Sequence, residues 1–150
     1  MARILPDYPE TRSTGLLCGQ ALIDRVLDNI DFMPVVQTAV IDGQVASPQL
    51  AFSALEAFLQ WFSLLPRIEE SDNYVMLKGD VDQLWHAAIV NTVIYRKLCE
   101  DYIGKFVDHQ PSLETPKYSW ILGTVSRLEK AFGSQMHPIF REWLLSADTH

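Results

Sequence analysis

A chain of 150 residues, 48% hydrophobic and 21% charged, has the composition of a globular protein and the length of one ordinary domain. The formal net charge of −7 disfavours a nucleic-acid partner, because nucleic-acid-binding surfaces are usually basic. The sequence has no long apolar run and no signal-peptide core after Arg3, so we expect a cytoplasmic protein without membrane association. Cys18 and Cys99 lie far apart and predict neither a disulfide framework nor a zinc knuckle. We expect both to be buried.

The N-terminal part of the chain changes character after its first two prolines. Residues 1–14 are polar and proline-containing, which predicts an irregular segment ahead of a helical domain at 15–150. Apolar residues from Leu16 to Ile30 recur on one helical stripe and predict a first helix. This helix should end before Pro34, because proline disfavours helical conformation in the residue that precedes it.

The segment 35–46 is ambiguous. Its β-branched residues favour strands, and the pair Asp42 and Gly43 favours a turn, so a β-hairpin is one alternative. An isolated two-stranded hairpin is only marginally stable, however. A short helix is therefore the favoured prediction.

A clear helix start follows at Ser47 and Pro48, since serine can cap free N–H groups and proline fits the first turn. Apolar residues then recur at helical spacing until Pro66, and we expect these aromatic and aliphatic side chains to form core. Residues 67–79 predict a polar connection whose apolar end, 74–77, could lie across that core.

The C-terminal third predicts two more helices. The Thr-Pro pair at 115–116 resembles a capped start, and Gly133 resembles the end of a helix over 117–132. A last helix should begin near Pro138. His137, directly before that proline, is expected to cap the helix or to face solvent.

The densest helical pattern lies between Asp80 and His109. Asp80 and Gln83, three residues apart, predict a capping box at its start. Because successive helix residues turn by ~100°, Asp82 and His86 should lie side by side on one edge of the helix.

This stretch also resembles a known family, the glycine-rich domain-containing protein-like family. The resemblance is carried by VDQLWH and, at similar spacing, by Tyr95, Cys99, Gly104 and FVDH ending at His109. The flanking sequences AFLQWF and RLEKAFG extend it over roughly residues 50–135. The family has no established biochemical activity, so the resemblance implies a helical fold and no particular reaction. Family members often read W-H-x-H, whereas Ala88 stands at the second histidine position here.

The side chains of Asp82, His86 and His109 have two interpretations. In one, Asp82 orients an imidazole and the histidines bind a divalent metal or a substrate. This requires a helix break at Asn91 and Thr92, because one straight helix would hold His86 out of reach of His109. In the other, which we favour, Asp82 and His86 form an i,i+4 pair and His109 bonds backbone groups of its own loop.

Together these patterns predict an all-α fold, a compact single-domain bundle of five to seven helices. The stretch from Asp80 to His109 should be held between the helices at 48–65 and 117–132. We expect Trp85 to contribute, with the other tryptophans, to an apolar cleft.

The favoured function is a small cytoplasmic binding or interaction module, because no complete catalytic motif is present. Its partner would be a protein, a small molecule or a second copy of the chain, with no cofactor favoured and with Trp85 and Tyr95 lining its cleft. The alternative is a metal-binding protein or metal-dependent enzyme that holds a divalent ion with His86, Asp82 and His109.

Overall fold

The computed structural model describes residues 17–42, 44–109 and 115–148, so the irregular segment predicted at 1–14 lies outside the described residues. Within these ranges the protein is a compact all-α bundle, as predicted, and no strand is present. The described helices are α1 Gly19–Asn29, α2 Met33–Ile41, α3 Pro48–Ser63, α4 Asp80–Val90, α5 Thr92–Tyr102, α6 Tyr118–Phe132 and α7 Ile139–Asp148. None of them combines the length and the apolarity that a membrane crossing requires.

Helix α3 lies at the centre of the core. Its Ala51, Phe58 and Phe62 side chains are almost completely buried, and the helix contacts α1, α2 and α4. The predicted start is confirmed, because the Ser47 hydroxyl oxygen accepts a hydrogen bond from the Leu50 N–H at 3.2 Å. Such caps typically contribute about 1 kcal/mol.

The ambiguous segment after α1 is a helix, which confirms the favoured prediction. Helix α1 already ends at Asn29, and Pro34 lies in the first turn of α2, where its missing N–H costs nothing. Val35, Val36 and Ala39 of α2 are buried.

Helix α4 packs most extensively against α3 and α2, while α6 packs mainly against α7. The prediction that α6 would hold the central stretch is therefore wrong in this respect. The physical reason is the apolar face of α2, whose buried side chains supply the surface that α4 covers.

Two predicted caps are also wrong. Asp80 is already the first helical residue of α4, the cap position is Gly79 with φ 147°, and no side chain caps it. Asp80 is too far into the helix to cap it, although its charge lies favourably in the first turn. Helix α6 begins after Lys117 without a side-chain cap, whereas its predicted end at Gly133, with φ 55°, is confirmed.

The two cysteines differ in burial. Cys99 is completely buried, as predicted, and burial raises the pKa of its thiol. Cys18 is only half-buried, contrary to the prediction, because it occupies the cap position of α1, where its sulfur lies 3.5 Å from Nε of Arg67.

The apolar end of the connection, 74–77, packs against the core, as predicted. The Trp61 indole N–H donates to the Val75 carbonyl at 2.8 Å, and the Tyr74 hydroxyl donates to the Trp61 carbonyl at 2.7 Å. The Val75 N–H in turn donates to the Thr124 hydroxyl at 3.0 Å. This segment therefore ties α3 to α6.

The helix break at Asn91, which the metal interpretation requires, is present. Asn91 has φ −86° and ψ 69°, which interrupts the helix for a single residue between α4 and α5. Its side-chain amide donates to the Ala87 carbonyl at 2.7 Å and to the Thr38 hydroxyl at 3.1 Å. The break is thus fastened both to its own helix and to α2.

We expect Asn91→Ala to lower the free energy of unfolding by about 1–2 kcal/mol, since it removes two part-buried hydrogen bonds. Urea unfolding followed by circular dichroism measures the change. Asn29→Ala is a matched control, because the exposed Asn29 amide bonds only the Arg25 carbonyl four residues earlier. If both variants lost the same free energy of unfolding, the hydrogen bond from Asn91 to Thr38 of α2 would not stabilise the α4–α5 junction.

Candidate metal centre

Three polar side chains meet beside the N-terminal half of α4. Asp82 and His86 lie one helical turn apart on α4, and His109 lies in the segment that follows α5. The Nε2 atom of His109 is 2.8 Å from Oδ1 of Asp82 and 2.8 Å from Nε2 of His86. The Nε2 atom of His86 is 3.7 Å from Oδ2 of Asp82. The favoured prediction that His109 bonds backbone groups of its own loop is therefore wrong, because its Nε2 atom contacts the side chains of Asp82 and His86.

The imidazole of His109 is held by an aromatic neighbour. The rings of His109 and Trp85 are stacked, with centroids 4.1 Å apart and planes inclined by 16°. Trp85 is itself buried against Phe58 and Trp61 of α3. Helix α3 therefore holds Trp85 in place, and the Trp85 ring sets the plane of the His109 ring.

Hydrogen bonds from buried side chains hold the chain just before His109. The Trp85 indole N–H donates to the Tyr95 hydroxyl at 3.0 Å, and that hydroxyl donates to the Val107 carbonyl at 2.5 Å. The Val107 N–H donates to the sulfur of Cys99 at 3.4 Å. Burial raises the pKa of Tyr95 well above its ordinary value, so its hydroxyl stays a neutral donor.

Trp85 and Tyr95 were expected to line a cleft, but the structure places both in the core. They are 5% and 1% exposed, respectively. Trp85 stacks on the His109 ring, and Tyr95 bonds the chain just before His109. The partners of both side chains depend on the return of the chain after α5, which local periodicity does not encode.

The three candidate ligands differ strongly in burial. The Asp82 side chain is 9% exposed and that of His109 is 15% exposed, whereas the side chain of His86 is 47% exposed. A buried carboxylate is costly unless it is paired, and both histidines lie within reach of Asp82. The cluster is therefore enclosed on one side and open on the side of His86.

With neutral histidines beside the Asp82 carboxylate, the two contacts of His109 Nε2 cannot both be linear hydrogen bonds. A ring nitrogen offers either one N–H or one lone pair in the ring plane. If Nε2 of His109 donates its proton to Asp82, it has no lone pair for His86. If it lacks the proton, it cannot donate to the carboxylate. A cation between the three atoms would let all three act as electron-pair donors.

The spacing also fits such an ion. Around a tetrahedral ion with bonds of about 2.0–2.1 Å, two ligand atoms lie about 3.3 Å apart. The His109 Nε2 contacts with His86 Nε2 and Asp82 Oδ1, 2.8 Å each, and the His86 Nε2 contact with Asp82 Oδ2, 3.7 Å, lie within about 0.5 Å of this spacing. Two imidazoles and one carboxylate form the ligand set of many open zinc and iron(II) sites. No other cluster of this kind occurs in the described ranges.

A cavity of about 320 Å³ adjoins His86 between α2 and α4. It is lined by Thr38, Ala39, Asp42, Gln44, Gln83, His86, Ala87 and Val90. No pattern in the sequence predicts this cavity, because it depends on how α2 packs against α4.

His137 lies outside this cluster and contacts the hydroxyl of Ser53. The Nδ1 atom of His137 accepts a hydrogen bond from the Ile139 N–H at 3.1 Å, so neutral His137 carries its proton on Nε2. That Nε2 lies 2.8 Å from the Ser53 hydroxyl oxygen and donates to it. His137 therefore caps α7, as predicted, and is in the wrong tautomer to activate Ser53 as a nucleophile.

No family model, curated protein or solved structure matches the chain. The resemblance to the glycine-rich domain-containing protein-like family therefore stays a prediction from the sequence.

His137 predicts a pH dependence of stability. Burial lowers its pKa, outweighing Glu56 and Glu142, which raise it. Its contribution to the free energy of unfolding is complete above its unfolded pKa of about 6.5 and is lost as the pH falls below that value, because the unfolded state then binds the proton first.

Wild-type protein should consequently lose more free energy of unfolding between about pH 7.5 and 5 than His137→Asn, whose side-chain oxygen can still cap α7. Urea unfolding in the presence of a chelator measures both, and the other titrating groups cancel in the difference. Parallel pH profiles would show that His137 does not contribute.

Proposed function

We propose that this protein binds a divalent transition-metal ion through Asp82, His86 and His109. The observation that carries the proposal is the convergence of two Nε2 atoms and a buried carboxylate, whose contacts cannot all be linear hydrogen bonds when both histidines are neutral. Two nitrogen ligands favour zinc, iron(II), cobalt(II) or nickel(II) over magnesium and calcium, which prefer oxygen.

The number of ligands indicates the kind of centre. Structural zinc sites are usually closed by four protein ligands, whereas centres with three protein ligands keep a position for water or substrate. An ion bound here would act as a Lewis acid for a ligand in that open position. The proposal is accordingly a centre that binds an external ligand and not a structural cross-link.

A direct test uses untagged protein that has been stripped with a chelator. Calorimetric titration with Zn²⁺ should give one site per chain, and Asp82→Asn, His86→Ala and His109→Ala should each weaken binding by more than about 100-fold. Even the residues behind metal ligands contribute about 10–100-fold. Stoichiometric metal should also raise the melting temperature of the wild type.

The matched control is Asp80→Asn, the same change two residues earlier on the exposed surface of α4. It should leave zinc affinity unchanged within about twofold. Absence of a stoichiometric site in the wild type, or equal loss in Asp80→Asn and Asp82→Asn, would refute the proposal.

A second candidate function is an interaction with an apolar partner surface, in the cytoplasmic setting that the sequence predicts. It is favoured by one groove, in which Leu27, Met33 and Phe52 are 51%, 42% and 45% exposed. Large apolar side chains that share one exposed groove are typical of interaction sites. A second copy of the chain is the simplest partner.

If the groove mediates self-association, light scattering after size exclusion should show a mass that rises with protein concentration. Phe52→Lys should abolish that rise, because it places a charge among apolar side chains. Leu145→Lys is the control, since Leu145 is 68% exposed and lies on α7, away from the groove. A mass of one chain at every concentration would exclude self-association through this groove.

A further inference from the structure

We propose that the cavity between α2 and α4 binds a small uncharged or cationic molecule that coordinates the metal ion through the open side of the centre. The inference rests on the proposed function, because His86 is both a candidate ligand and part of the cavity wall. It adds a binding site and the class of molecule that the site takes.

Burial locates the open side of the centre. Asp82 and His109 are enclosed by protein, whereas His86 is exposed on the surface where the cavity lies. An external ligand must approach the ion from the side that the protein leaves open. Gln83 lies next to Asp82 in sequence and also lines the cavity, so the cavity wall continues directly from the ligand helix.

The polar groups of the cavity define the charge of its ligand. Asp42 supplies a carboxylate, Gln44 and Gln83 supply carboxamides, and none of the described lining residues is basic. A carboxylate or phosphate would therefore meet the negative charge of Asp42 and no positive side chain. The proposed metal ion would be the one positive charge near it. An amine, amide or azole would find hydrogen-bond acceptors instead.

The Thr38 hydroxyl is not free for recognition. It donates to the Pro34 carbonyl at 2.8 Å and receives the Asn91 amide at 3.1 Å. Ala39, Ala87 and Val90 add apolar wall around the polar groups. The Gln44 amide donates to the Asp42 carbonyl at 3.4 Å, so recognition is left to Asp42, Gln83 and the side-chain oxygen of Gln44.

The space within the cavity walls is that of a small molecule. About 320 Å³ corresponds to roughly ten water-sized groups at ~30 Å³ each, which lies at the small end of ligand sites. The site therefore fits a metabolite-sized molecule better than a peptide or a nucleotide.

The test uses Co²⁺-loaded protein, because the visible spectrum of cobalt(II) responds to its ligands. Imidazole at about pH 8, where it is mostly neutral, should change the spectrum with saturation, and acetate should bind at least about tenfold more weakly. Val90→Trp, which fills the cavity from its exposed rim, should weaken imidazole binding at least about tenfold and leave Co²⁺ affinity unchanged.

Val93→Trp is the matched control, since Val93 is 76% exposed on α5 and does not line the cavity. It should bind imidazole like the wild type. Asp42→Asn provides a second variant that keeps the wall intact and should raise acetate affinity roughly threefold to fivefold at low ionic strength.

The outcomes separate the two proposals. If Co²⁺ does not bind, the metal proposal fails and this inference fails with it. If Co²⁺ binds but Val90→Trp and Val93→Trp take up imidazole equally, or acetate binds more tightly than imidazole, the metal centre stands and the cavity site is refuted.

Discussion

The meeting of His109 with His86 depends on one non-helical residue, Asn91, between α4 and α5. A continuous helix from Asp80 to Tyr102 would carry the chain steadily away from His86, at ~1.5 Å per residue, and His109 could not return. The break instead lets α5 end where the following segment reaches back to α4. Because the Asn91 amide bonds both Ala87 and α2, the direction of this return is fixed by the body of the protein.

Behind the candidate centre, the supporting contacts are buried and specific. The hydrogen bonds from Trp85 through Tyr95 to Val107 set the path of the segment, and the Trp85 ring sets the plane of His109. Loops usually carry functional residues with more freedom than helices do. Here a histidine on a non-helical segment is held by side chains of two helices, which is the support that a metal ligand needs.

The two histidine clusters show how neighbours decide what an imidazole can do. At His137 one nitrogen is committed to capping α7, so the other must carry the proton and bond Ser53. At His86 and His109 two Nε2 atoms face each other beside the buried Asp82 carboxylate. The first arrangement is complete without a ligand, and the second brings together three side chains that could hold a cation.

The sequence by itself determined the features that depend on near neighbours along the chain. These are the start of α3 at Ser47 and the pairing of Asp82 with His86, both governed by spacing or capping within a few residues. The break at Asn91 was only a condition of the metal interpretation, and the structure decided it. Only the tertiary structure decided that His109, 23 residues beyond His86, meets it, and that α2 forms a cavity wall. Such contacts depend on how whole helices pack, which local periodicity does not encode.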